Sequence, residues 1–260
     1  MSQTFFDSLG IPAKCFLNKT LFKKHFLESG VLDVTDKKTL KDDIEKIRWV
    51  YTLKPSTINI EPFKDDNYEY DEIAILQIDL SSNRRIKRII SFINKAIPYP
   101  LILVFDYGEM IAISVMNKRI NQADKSKWVV GDEWTTPWFN PNSPTESEKN
   151  FMGGLAIKNL SFLNFYAFYS DIKNLIVALT IFTKTGIYSV TKGNASESRI
   201  EILRALEKLE QDKLELQNKI KKETQMGRQV ALTTSIKKMA DQINYLKQQL
   251  TDSRRAPKNE

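Results

Sequence analysis

The sequence predicts an α+β fold. A mixed or antiparallel sheet with flanking helices is expected over residues 1–190, followed by an antiparallel coiled-coil helical hairpin over 195–252 and a disordered polar tail at 253–260. Three observations predict this. Residues 72–117 read in succession as strand, helix and β-hairpin. The last quarter carries two runs of apolar residues at alternating steps of four and three. The 260-residue chain is 42% hydrophobic and 10% aromatic, enough for a sizeable core in one large or two smaller domains.

The first fifty residues carry helical periodicity. Leu21, Phe22, His25 and Phe26 share one helical face, and Leu40, Ile44 and Ile47 repeat the spacing over 39–49, with Thr35 and Asp36 as candidate caps. Residues 49–53 turn to β-type side chains, Pro55 interrupts them, and 57–60 continue extended. The acidic, polar stretch 64–70 reads as a loop.

Residues 72–80 form a strand on which Gln77 and Asp79 share a face with Ile73 and Ile75. Ser81, Ser82 and Asn83 can cap a helix over 84–97, whose apolar stripe is Ile86, Ile89, Ile90, Ile93 and Ile97. Pro98 and Pro100 end it. Strands at 101–105 and 110–117 flank a turn at 106–109, with Gly108 suited to positive φ. A further strand over 127–136 would bury Trp128 and Trp134. Residues 137–147 read as a loop and 152–154 as a flexible point. The apolar segment 160–182 has about the length of a membrane span. It carries Asn164, Ser170, Asp171, Lys173 and Asn174, so a buried or half-buried helix is expected, with no membrane partner.

The C-terminal seam runs Ile202, Leu206, Leu209, Lys213, Leu216, Ile220, and restarts as Leu232, Ile236, Met239, Ile243, Leu246, Leu250. This 3.5-residue repeat is the mark of a coiled coil, and the break around Gly227 makes it a hairpin. The same heptads would satisfy pairing within one chain or between chains. Leu206, Leu209, Leu216, Ile236, Ile243 and Leu246 are the candidate partner-binding residues.

The formal charge of +7 suits an acidic partner such as nucleic acid, and equally a solvated Lys/Glu surface. A lone cysteine, Cys15, makes no intrachain disulfide, and the first residues lack a secretory pattern; a cytoplasmic protein is expected. With one histidine, a nucleophilic triad would have to use His25, which sits between two phenylalanines and reads as a packed structural residue. One Cys and one His exclude an intrachain zinc site. No Gly-rich phosphate loop is present, and no cofactor is expected. Asp79, Asp106 and Glu109 could serve a divergent metal-dependent nuclease, but no strand shows the acidic-apolar-Lys arrangement that chemistry uses. Their plainer reading is a salt bridge near Arg84 and Arg85 for Asp79, and turn positions for the other two.

Three surfaces are candidates for contact. Arg84, Arg85, Lys87 and Arg88 crowd the start of the 84–97 helix, where cations oppose the macrodipole and an anion would relieve them. Trp128, Trp134, Trp138 and Phe139 can stack bases or fill a core. Lys219, Lys221, Lys222 and Arg228 make the hairpin tip basic.

Three stretches together carry a resemblance: WVYTLKPSTINI (49–60), the run through Ala96-Ile97-Pro98-Tyr99-Pro100 into the apolar strand (93–119), and the hairpin turn (219–239). Over most of its length the chain resembles an uncharacterised bacterial family, domain of unknown function four-three-nine-one. Met226-Gly227-Arg228 departs from the family's more usual aromatic–Asn–Arg run. The resemblance implies a setting beside DNA methyltransferase and helicase genes of restriction-modification or anti-phage defence clusters, and no catalytic residues. The expectation is a non-catalytic subunit, homo-oligomeric or in a hetero-complex with a helicase or methyltransferase. The alternatives are the nuclease and a homo-oligomeric scaffold.

Overall fold

A capping box opens the first helix that the sequence clearly marks. The Asp33 carboxylate accepts the Asp36 N–H at 2.7 Å, and the Asp36 carboxylate accepts the Asp33 N–H at 3.1 Å. In the computed structural model, which describes residues 2–124 and 128–252, this helix is α3 (Val34–Asp42). Before it come α1 (Ser2–Leu9), β1 (Phe16–Leu21) and α2 (Lys23–Glu28). After it come β2 (Ile44–Leu53), α4 (Pro55–Ile58), the short β3 (Phe63–Lys64) and β4 (Glu69–Tyr70), and β5 (Ile73–Leu80). Then follow α5 (Ile86–Ala96), β6 (Leu101–Tyr107), β7 (Met110–Ile120), β8 (Trp128–Thr135), α6 (Glu146–Leu155), α7 (Phe165–Thr185), α8 (Asn194–Ile220) and α9 (Met226–Asp252). The expected tail at 253–260 lies outside the described residues, as does position 127 of the predicted strand.

Six strands form one mixed sheet in the order β1-β2-β5-β6-β7-β8. Only β5 and β6 pair in parallel, joined by α5; the other neighbours are antiparallel. The fold is therefore α+β with a mixed sheet and flanking helices. One sheet face, including Leu76, Ile78, Leu103 and Phe105, packs with Ile89, Ile90 and Ile93 of α5, Leu40 of α3 and Phe26 of α2. The other, with Ile75, Ile102, Val104 and Ile113, faces a small apolar cavity shared with Phe5, Leu155, Phe168 and Ile172. Burial on both faces explains why β5 and β6 read as nearly continuous apolar runs.

Tyr169 of α7 ties the second layer down. Its hydroxyl accepts the Met116 N–H at 2.9 Å and lies within donating distance of the carbonyls of Leu101 (2.8 Å) and Met116 (3.0 Å). Burial pushes this phenol well above its usual range. Where α6 meets α7, a Cβ on Gly154 would stand 2.6 Å from Leu175 Cδ2, so a larger residue there would make the Leu175 side chain shift. The expected flexible point at 152–154 is thus the packed end of a helix.

Other expectations are corrected. Ile44 and Ile47 belong to β2, not to a helix. A bulge between Ile44 and Lys46 places two residues three apart in the same core, imitating helical spacing. Residues 55–58 close a helical turn with Asn59 left-handed at φ 58°, where an extended chain was expected. The expected loop at 64–70 holds the β3–β4 pair. β6 continues through Asp106 to Tyr107, leaving Gly108 and Glu109 as the turn. Trp128 and Trp134 are half-buried, and His25 is exposed, tilted against Phe22 at 6.2 Å between ring centroids.

The chain divides into two units, Met1–Leu179 and Thr180–Glu260. α7 is the one described helix long and apolar enough to cross a membrane, and most of it is buried. In the second unit, α8 and α9 are 27 residues each, and residues 221–225 join them. They run antiparallel: Arg199 near the start of α8 donates to the Leu250 carbonyl near the end of α9 at 3.5 Å.

Candidate functional site

Two of the four basic residues at the start of α5, Arg85 and Arg88, are engaged within the fold. Arg85 grips Asp43, at the end of α3, through Nε (2.5 Å) and Nη2 (2.7 Å), and Asp43 is only 4% exposed. Arg88 reaches back to the capping box, 2.8 Å from the Asp36 carboxylate and 3.0 Å from that of Asp33. The Asp36 N–H, and Arg88 beside it, hold the Asp33 carboxyl below its usual range. These two arginines therefore fasten α5 to α3. Arg84 and Lys87 are exposed.

A polar cluster occupies the carboxyl ends of the parallel strands. Asp79 and Asp106 are register partners on β5 and β6. The buried Gln77 amide donates to Asp79 at 2.9 Å and lies 3.5 Å from Asp106. Arg48 on β2 pairs with Asp79 at 3.2 Å. Glu109 stands apart, exposed in the turn and 3.5 Å from the Asn140 amide. Among the described residues, no group of three or more His, Cys, Asp or Glu side chains is placed to hold a metal ion. Asp79 takes Arg48 as its cation rather than Arg84 or Arg85. The strand alternation that put Gln77 and Asp79 on one face was readable in sequence; the Arg48 contribution from a neighbouring strand was not.

Lys118 was missed altogether. It is 1% exposed on β7, and its ammonium donates to the carbonyls of Ile97 and Tyr99, both at 2.5 Å. It thus satisfies carbonyls at the end of α5 and in the Ile-Pro-Tyr-Pro turn. Burial pushes the Lys118 ammonium down to about 7. No other charged group takes part in these two bonds, so this lysine reads as an internal clamp.

The predicted seam is buried unevenly. Leu206, Ile243 and Leu250 are buried, joined by Ile200 and Leu203, which the heptad reading left out. Leu209, Leu216, Ile220, Leu232, Ile236, Met239 and Leu246 are only half-buried. Beside them Leu214 is 51% exposed, Val230 61% and Met226 80%. At the joined end of the pair, Lys219, Lys222, Glu223 and Arg228 line an open cleft with Ala231 and Leu232.

The family model described as Domain of unknown function (DUF4391) matches residues 9–243. The chain belongs to the DUF4391 family. The match runs through α8 and into α9, so in this DUF4391 chain the helix pair is part of the family's domain and not an appendage. No curated protein and no solved structure matches the chain.

Proposed function

We propose that this chain is a non-catalytic interaction subunit that docks on a partner through its C-terminal helices, which act as an antiparallel coiled coil. The observation that carries this reading is the half-burial of the seam from Leu209 to Met239 although both helices are present. Two helices cover only one side of each other, and a heptad seam with exposed apolar neighbours at Leu214 and Val230 has room for a further helix. The setting implied by the family resemblance is a cytoplasmic restriction or anti-phage complex. The partner is then a helicase or DNA methyltransferase subunit, with DNA as a further contact.

A second reading, a divergent metal-dependent nuclease, draws on the register pairing of Asp79 with Asp106. Against it stand the pairing of Asp79 with Arg48, which neutralises one carboxylate, and the separation of Glu109 from the cluster. Affinity purification of the tagged chain from its host, with light scattering of the purified protein, separates the readings. A helicase or methyltransferase in stoichiometric amount supports the subunit. A stable homo-oligomer without such a partner supports a scaffold. Metal-dependent DNA cleavage lost in Asp79→Ala supports the nuclease.

A further inference from the structure

Charge is segregated along the C-terminal helix pair. Residues 194–218 carry six acids and four bases; residues 219–238 carry six bases and one acid, Glu223. That acid is occupied by its own turn: one carboxylate oxygen accepts the N–H groups of Thr224 and Gln225, both at 2.9 Å, and the other lies 4.0 Å from Arg228. Lys219, Lys222, Arg228, Lys237 and Lys238 are all exposed. Among the described residues none of the four lysines forms an ion pair. The contrast with α5 is direct, since Arg85 and Arg88 there are spent on Asp43, Asp33 and Asp36.

We propose that the joined end of α8 and α9 is a binding site for the phosphate backbone of nucleic acid, with Lys219, Lys222 and Arg228 around the cleft. This deepens the DNA contact of the proposed function and does not depend on the partner-docking seam. Lysine ammoniums are compact charges that meet phosphates without demanding a fixed geometry. A cluster whose lysines form no ion pair gains most from a polyanion, because each contact releases a condensed counterion. The site therefore reads backbone charge, not base sequence.

The test uses the full chain and a short labelled DNA duplex, with fluorescence anisotropy between about 50 and 200 mM salt. The expected result is a salt-dependent affinity that falls about tenfold or more in Lys219→Glu/Lys222→Glu/Arg228→Glu, with the log–log salt slope reduced by about three. Arg84→Glu/Lys87→Glu should stay within about twofold. The neutral set Lys219→Gln/Lys222→Gln/Arg228→Gln should weaken binding in the same direction, and circular dichroism should show both helices intact. The proposal is overturned if the chain shows no salt-dependent DNA binding, if the tip variants bind as wild type, or if the α5 variant loses as much. It is equally overturned if the tip variants keep DNA and lose a protein partner, which would assign the patch to an acidic protein. A tip variant that loses DNA yet still co-purifies its partner leaves the docking reading untouched.

Discussion

Glu210 of α8 and Lys247 of α9 face each other across the helix pair, with Oε1 3.5 Å from Nζ, while the other carboxylate oxygen takes the Lys184 ammonium at 2.5 Å. With the Arg199 bond to the Leu250 carbonyl, this contact fixes which turn of α8 lies beside which turn of α9. The groups are about a third exposed, so the Glu210–Lys247 pair is worth roughly 0.2–1 kcal/mol. Lys247→Glu should destabilise by about that amount, and Glu210→Lys by more, because it also loses the Lys184 ion pair. The double reversal should recover only the Lys247 share, because Lys184 still faces position 210. A double-mutant cycle on thermal unfolding measures it.

The Arg85–Asp43 fork should prove structural. Asp43 is buried, and its backbone carbonyl also accepts the Ser81 N–H at 3.0 Å, so the β5–α5 connection leans on it twice. Asp43→Ala strips the half-buried Arg85 of both its acceptors and should lower stability clearly more than a change at Arg84. Arg84→Ala, on an exposed side chain in the turn just before α5, should change stability by about 0.5 kcal/mol or less. Denaturant midpoints of the two variants compare them.

Lys118 predicts a pH dependence. Its pKa is about 7 in the fold, well below the ordinary lysine value of about 10.4, so between those limits the unfolded chain binds more protons than the native one. Stability should therefore rise as pH increases from 7, and the burial penalty should be felt in full below 7. The Lys118→Met variant should lack this rise. Urea unfolding of both proteins at two pH values between 7 and 9 tests it, a window below the range in which Tyr70 and Tyr169 titrate.

Buried seam residues such as Leu206 and Ile243 stand beside exposed apolar neighbours, Leu214 and Val230, outside the seam. Leu206 is 0% exposed and Ile243 6%, so Leu206→Lys with Ile243→Lys should unfold α8 and α9, each charge costing several kcal/mol. Leu214→Asp with Val230→Asp, both at exposed positions, should leave helix content unchanged by circular dichroism.

Much of this was legible in sequence where one face or one period dominates. The strand at 73–80, the isoleucine helix α5, the strand pair around Gly108 and both C-terminal helices follow from regular spacing. Legibility failed where tertiary geometry reinterprets spacing. The bulge after Ile44 gave a strand the i, i+3 signature of a helix, and the two-residue strands β3 and β4 are too short for any period to register. The basic run on α5 was visible as a cluster of charges. That Asp33, Asp36 and Asp43 would fold back onto it depends on long-range packing and left no local signal. Lys118 was hidden for the same reason, since its acceptors lie about twenty residues earlier in the chain.

The central claim is that the half-covered seam docks a partner, and one comparison tests it most directly. The tagged wild-type chain and the Leu214→Asp/Val230→Asp variant are purified side by side from the native host, and the co-purifying proteins are identified and quantified. The account predicts a helicase or methyltransferase subunit in stoichiometric yield with the wild type, and its loss with the folded variant. Equal recovery of that subunit with both proteins, or its absence from both, would contradict the account.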